Sequence, residues 1–154
     1  MTRPIMPEIS RNKKAFFDYE ILEKFEAGLV LKGFEVKAIK SGRINLAGSH
    51  IVIREGEAWL INADVPPYQP KNTPENYQSG RNRKLLLRKS EIKRLAGRTE
   101  EKGLTLVPLR VYTKQGNVKL ELGLAKGKKQ ADKRQIIGKR EANRRIQRAF
   151  RGKL

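Results

Sequence analysis

The sequence predicts a mainly β fold: a small closed antiparallel barrel of five or six short strands, followed by a basic C-terminal tail. Three observations lead there. Apolar and polar residues alternate in several short runs, the period of half-buried strands. Turn residues separate those runs at short intervals, as in an antiparallel barrel. The composition then shifts near the C-terminus, where residues 126–154 carry twelve Lys and Arg against two acids, +10 of the chain's net +19. The full length of 154 residues suits one domain that buries roughly two thirds of its unfolded surface.

Residues 1–14 read as a flexible basic arm, 15–125 as the barrel and 126–154 as the tail. Phe17, Tyr19 and Ile21 alternate with Asp18, Glu20 and Leu22, which predicts a strand running toward Gly28. Leu29 to Lys40 is ambiguous; Val30, Phe34, Val36 and Ile39 fit a short helix interrupted by Gly33, with Lys32, Glu35 and Lys40 outward. Ile44 and Leu46, then Ile51 and Ile53, predict a strand before a Glu55-Gly56 turn. Trp59, Ile61, Ala63 and Val65 alternate on the return, so 50–65 reads as a hairpin that Pro66-Pro67 stops. Residues 69–82, rich in Pro, Asn, Gly and Ser, form a long loop of the kind that is functional or mobile.

Ser90 is placed as the N-cap of the one clear helix, with Ile92 and Leu95 on its inner face. The run from Leu104 to Tyr112 is strand-like, with Pro108 marking an edge or bulge. A turn at Gln115-Gly116-Asn117 leads into a last strand in which Val118, Leu120, Leu122 and Leu124 alternate with Lys119 and Glu121.

The tail has Ile136, Ile137, Ile146, Phe150 and Leu154 as its only large apolar residues. So little apolar surface cannot offset the entropy of ordering it, which predicts disorder in the free protein. Between Ala131 and Phe150 there is no Pro and a single Gly, and most residues are good helix formers. The segment thus reads as a basic helix that forms on a polyanion, the alternative being a permanently unstructured solubilising tail.

Charge is the main functional signal. A pI near 10.5 calls for a polyanionic partner, because concentrated positive potential attracts phosphate and releases its counterions. Membrane surface is the rival polyanion, and would require a basic helix with a strong apolar face. Other classes lose support. With no Cys, disulfide frameworks, Cys-ligated zinc and thiol nucleophiles are excluded. No apolar run approaches a membrane span, and the first residues lack the apolar core of a signal peptide; the reading is a cytoplasmic protein. His50 is the only histidine and falls in a strand pattern, so it reads as structural. Phosphate-cradling glycine loops are missing, and the acids are too scattered for a two-metal site. Neither catalytic residues, nor metal, nor cofactor are expected.

Three basic groups remain: Arg81, Arg83, Lys84, Arg88 and Lys89 around Leu85-Leu86-Leu87; Lys37, Lys40 and Arg43; and Lys126, Lys128, Lys129, Lys133 and Arg134. The first suggests a segment anchored in the core by its leucines while its arginines meet phosphate, or else an ordinary amphipathic helix start. Ten aromatics, most at strand-core positions, are few for a reader of stacked single strands. Recognition of a folded RNA by shape and backbone fits better.

Phe25-Glu26-Ala27-Gly28-Leu29, Gly33-x-Glu35-Val36-Lys37, Pro67-Tyr68, Arg83-Lys84-Leu85-Leu86-Leu87 and Gly127-Lys128-Lys129-x-x-Asp132-Lys133-Arg134 together resemble the small protein B (SmpB) family, bacterial partners of transfer-messenger RNA (tmRNA). The resemblance implies an oligonucleotide-binding (OB-type) barrel of about six strands with two or three flanking helices. It implies binding to the tRNA-like domain of tmRNA and delivery, with elongation factor Tu and GTP, to stalled ribosomes for trans-translation. The tail would enter the empty mRNA channel near the decoding centre of the small subunit and become helical there. A monomer without enzymatic activity is expected.

The basic groups and the resemblance give one candidate set for tmRNA: Glu26, Lys37, Arg83, Lys84, Leu86, Arg88, Lys126, Gly127, Lys128 and Lys129. A second set is expected to act in the ribosomal channel: Asp132, Lys133, Arg134, Lys139, Arg140, Arg144, Arg145 and Arg148. Glu26 and Leu86 match family positions associated with tmRNA, and Asp132, Lys133 and Arg134 match the motif needed for tagging. An acid facing a polyanion suggests that Glu26 accepts from base amino groups or a ribose 2′-OH, or orients a neighbouring Lys. Two positions depart from the family pattern: Arg88 stands where some members have Asn, and Ala131 where many have an aromatic or His. The alternatives are a generic barrel-type RNA binder and, far behind, an RNA-processing hydrolase.

Overall fold

The computed structural model describes residues 8–128. Seven strands and three helices follow in the order β1 (Glu8–Arg11), α1 (Lys13–Asp18), β2 (Tyr19–Leu29), α2 (Gly33–Lys40), β3 (His50–Arg54), β4 (Glu57–Ile61), β5 (Arg83–Leu86), α3 (Lys89–Thr99), β6 (Leu104–Lys114) and β7 (Asn117–Gly127). All pairings are antiparallel. The six strands β6-β3-β4-β5-β2-β7 close because β7 returns to β6, and closure removes the exposed edges that an open sheet would present. β1 is a seventh strand laid on β6 opposite Arg110 to Tyr112.

The hairpins form where the turn chemistry dictates. Glu55 and Gly56 take φ of 52° and 75°, and Gln115 and Gly116 take 52° and 80°; two successive left-handed residues match the twist of tight hairpins. The expected irregularity at Pro108 is a register shift between Pro108 and Arg110 against β7. Gly123 on β7 has its own reason: a Cβ there would lie 3.0 Å from Leu109 Cδ1 and 3.1 Å from Ile21 Cγ2. The core is the barrel interior, with Leu60, Leu85, Leu106, Leu120, Leu122 and Leu124 fully buried. Leu95 of α3 and Ile39 of α2 join them.

Several expectations about the elements need correction. Residues 8–14 are not a free arm, since β1 pairs with β6 and α1 begins at Lys13. The strand expected from Phe17 starts instead at Tyr19, because Asn12 makes 13–18 helical. Its Oδ1 accepts from Ala15 N at 3.3 Å, while its Nδ2 donates to Pro108 O at 2.9 Å; Ala15 is thereby buried against Val107, Leu109 and Ala125. Ile44 and Leu46 are buried as an alternating pair should be, yet their segment makes only the isolated bridge Asn45–Asp64. Finally, Arg88, not Ser90, occupies the cap position of α3. The signal that matters there is Glu91, whose carboxylate accepts from Arg88 N at 3.2 Å and satisfies one of the first-turn donors.

Candidate nucleic-acid interface

α2 places Glu35, Ala38 and Ile39 inward and leaves Lys37 and Lys40 exposed. Glu35, expected to face outward, is fully buried. Its carboxylate accepts from Lys32 N at 2.8 Å and from Tyr77 Oη at 3.0 Å. Arg81 grips it through Nε and Nη2, and Arg83 through Nε at 2.9 Å and Nη2 at 2.7 Å. Arg83 is equally buried. Its remaining donors reach the carbonyls of Ala63 (2.8 Å), Ser79 (2.9 Å) and Arg81 (3.1 Å). Arg83 therefore does not meet phosphate as the sequence suggested; its charge is consumed inside. Tyr77 rests edge-on against Phe34 with ring centroids 4.7 Å apart, and its single hydroxyl hydrogen is shared between the Glu35 carboxylate and Val65 O, 2.9 Å away. The long loop is thus fastened to α2 and β5 by Tyr77 and Arg81, of which Tyr77 carries no local sequence signal.

Burial pushes the Glu35 carboxyl up, but the hydrogen bonds from Arg81, Lys32 N and Arg83 outweigh it and hold the pKa at about 2, against an ordinary 4.5. A depressed folded pKa means stability that is complete above the unfolded value and lost as pH falls toward the folded one. Thermal midpoints measured from pH 7 to pH 2 should stay level down to about pH 5. They should then fall, with about 3 kcal/mol of the loss attached to this carboxylate.

The side chains of β5 alternate: Arg83 and Leu85 point in, Lys84 and Leu86 out. Leu86 is 53% exposed, ordinary for one apolar side chain taken alone, so its setting decides what it can do. It lies over Gly28, its partner in register on β2. A Cβ at Gly28 would stand 3.3 Å from Leu86 Cβ, so the glycine lets Leu86 lie close to the strand. On its other side Gly28 is paired with Lys119 of β7. These residues, with Leu31, Val36 and Asn117, surround a depression of about 240 Å³.

Two positions before Gly28, on the same face of β2, Glu26 accepts hydrogen bonds from Tyr112 Oη and from Lys114 Nζ (3.3 Å). The bond from Tyr112 lowers the Glu26 carboxyl below its ordinary value, with help from Lys114. Burial, and then that same bond, raise the Tyr112 hydroxyl. The Arg110 guanidinium stacks 4.8 Å over the Tyr112 ring while paired to Glu121 at 3.1 Å. Glu26 is thus an ionised acceptor held in place, which suits donors such as a 2′-OH or a base amino group. Tyr112, Lys114 and Lys119 were not singled out from the sequence; the alternation of β6 and β7 could have placed them beside Glu26 only once the register was known.

The other candidates spread around the barrel. Arg88 is exposed just beyond Leu86, and Lys84 is paired with Glu57 at 3.0 Å. Lys37 borders a cleft of about 260 Å³ with Phe34, Tyr68 and Asn72. Below that cleft Arg43 donates to Pro67 O (3.0 Å) and Tyr68 O (3.3 Å) and stacks on the Tyr68 ring. Lys126 and Gly127 are exposed at the far end of β7, about 23 Å from Lys119 at 3.3 Å per residue. Lys128 is held there by N–H to Asp18 O (2.9 Å) and Nζ to Phe16 O (3.2 Å). Lys129 and the channel set, Asp132, Lys133, Arg134, Lys139, Arg140, Arg144, Arg145 and Arg148, lie outside the described residues, as do the expected disorder and induced helix. Among the described residues no group of three acids or histidines could hold a metal, and no helix is long and apolar enough to cross a membrane.

A family model described as SmpB protein matches residues 9–152. The SsrA-binding protein of Desulforudis audaxviator is 55% identical over 99% of both chains. That of Carboxydothermus hydrogenoformans is 54% identical over 94% of this chain and 97% of its own. A solved chain from "tmRNA-SmpB: a journey to the center of the bacterial ribosome" is 48% identical, with a TM-score of 0.65 over 79% of this chain and 85% of that chain.

Proposed function

The chain belongs to the SmpB protein family, and from that premise we propose that it is a non-enzymatic RNA-binding adaptor of trans-translation. It binds the tRNA-like domain of tmRNA and, with elongation factor Tu and GTP, brings it as a monomer to stalled ribosomes in the cytoplasm. The observation that carries this reading is the near full-length likeness to SsrA-binding proteins, since it spans barrel and tail together. The geometry supports it: an exposed Leu86 on Gly28, an ionised acceptor at Glu26 and flanking lysines form a face suited to a folded RNA. Arg83 leaves the contact set and acts by holding β5 in place; Lys84, Leu86, Arg88, Lys37 and Lys126 to Lys129 remain in it. Asp132, Lys133 and Arg134, followed by the basic residues to Arg148, serve the ribosomal channel.

Competition of labelled tRNA-like domain against excess bulk tRNA tests the reading, at one fixed salt concentration because phosphate-driven affinity falls steeply with salt. The full chain should prefer the tmRNA domain by about tenfold or more, the size of one or two good directional contacts. Equal affinity for both would make it a generic basic RNA binder. Replacing Asp132, Lys133 and Arg134 together by Ala should leave that affinity within a few fold and abolish peptide tagging.

A further inference from the structure

The outward face of the β3-β4 hairpin, beside β5, has no role in the reading above. Its inner residues Ile51, Ala58, Leu60 and Leu85 fill the core. Val52, Trp59 and Ile61 point the other way and are partly exposed. The helices pack elsewhere, α1 on β2 and β6, α2 on β7 and α3 on β6. Trp59 faces Val52 on one side and Lys84 on the other in register, at the wall of a groove of about 420 Å³ that His50, Arg54 and Asn82 also border. Leu86 is the next outward residue after Lys84 on β5, so Trp59, Lys84 and Leu86 share one outward sheet face.

Charges around the groove balance in number, Arg54 and Lys84 against Glu55 and Glu57, and Lys84 is paired with Glu57 at 3.0 Å. On a chain of net +19 this groove, in which Val52, Trp59 and Ile61 supply an apolar strip among polar neighbours, has no surplus cation, so phosphate gains little there while the surrounding potential still draws RNA in. What fits is the neutral, planar part of a nucleotide. Indole is a strong stacking partner for any base, and the Asn82 amide offers a donor and an acceptor for a base edge.

We propose that Trp59 is a stacking platform for one unpaired base of the bound RNA, extending the Leu86 face across β5 onto the β3-β4 hairpin. The proposal rests on the RNA-binding reading given above. One platform holds one base, so it needs no row of aromatics such as sheet-type single-strand readers carry.

Trp59 is the only tryptophan in the chain, and its emission therefore reports the groove directly. The full-length protein is titrated with tRNA-like domain transcript and, separately, with a blunt RNA duplex that has no unpaired bases. Emission should be quenched by the transcript in step with binding measured on labelled RNA, and stay unchanged with bound duplex. Trp59→Leu should weaken transcript binding about tenfold, and Trp59→Phe less than about threefold, the scale of one stacked base. Emission that is unmoved at saturating transcript overturns the proposal and leaves the groove to a protein partner, while binding itself upholds the wider reading. Loss of specific binding by the unaltered chain would overturn both. Because the quenching is read on the unaltered chain, a variant that fails to fold does not protect the idea.

Discussion

Glu35→Ala is expected to cost about 3–5 kcal/mol of folding stability, the scale for removing one partner of a buried ion pair. The reason lies in what stays behind. Arg83 is fully buried and would keep its hydrogen bonds to the carbonyls of Ala63, Ser79 and Arg81 with no negative charge to balance it. Arg81 and Tyr77 would lose the anchor that ties the long loop to α2. Glu35→Gln keeps the shape and part of the hydrogen bonding, so it should fall between the two. Urea unfolding of the three proteins at pH 7 checks the order, and a Glu35→Ala protein as stable as the parent would mean that water replaces the carboxylate. Any loss of RNA binding by these variants should follow the unfolded fraction and disappear at low temperature.

Leu86→Asp should do the opposite, sparing the fold and weakening binding to the tRNA-like domain by about 30-fold, or about 2 kcal/mol. Leu86 is already 53% exposed, so an acid there buries little new charge and the thermal midpoint should hold. Roughly half the loss comes from apolar contact no longer made with RNA, and half from a carboxylate set against phosphate. Labelled-RNA binding at several salt concentrations separates the two, because only the second part shrinks as salt rises. Unchanged affinity would remove the Leu86–Gly28 face from the interface.

Most of the barrel was legible because its signals are local. The turns at Glu55-Gly56 and Gln115-Gly116 need two left-handed residues and announce them in two letters; Pro108 cannot donate and marks its own bulge. What escaped depends on partners distant in sequence. Asn12 caps α1 while holding Pro108 O, 96 residues on, and without that partner Phe17 to Leu22 reads as a strand. Glu35 on a short helix and Arg83 in a basic run each look solvent-facing, and only together, 48 residues apart, do they form a buried pair. Glu26 and Leu86 were found through their motifs. The side chains that give Glu26 its fixed, ionised state, Tyr112 and Lys114, lie 86 and 88 residues away and had no signal of their own.

β7 has a consequence for how changes combine. It carries Lys119 beside Gly28 at one end and Lys126 opposite Glu20 at the other, about 23 Å apart, and Lys128 is moored to α1 just beyond. A rigid paired strand keeps these ends apart, well past the roughly 7–10 Å within which perturbations couple. Alterations at the Leu86 end and at the root of the tail should therefore act as independent factors, their effects on affinity multiplying without interaction. Such a molecule can be retuned for its RNA at one end while the other keeps its own task.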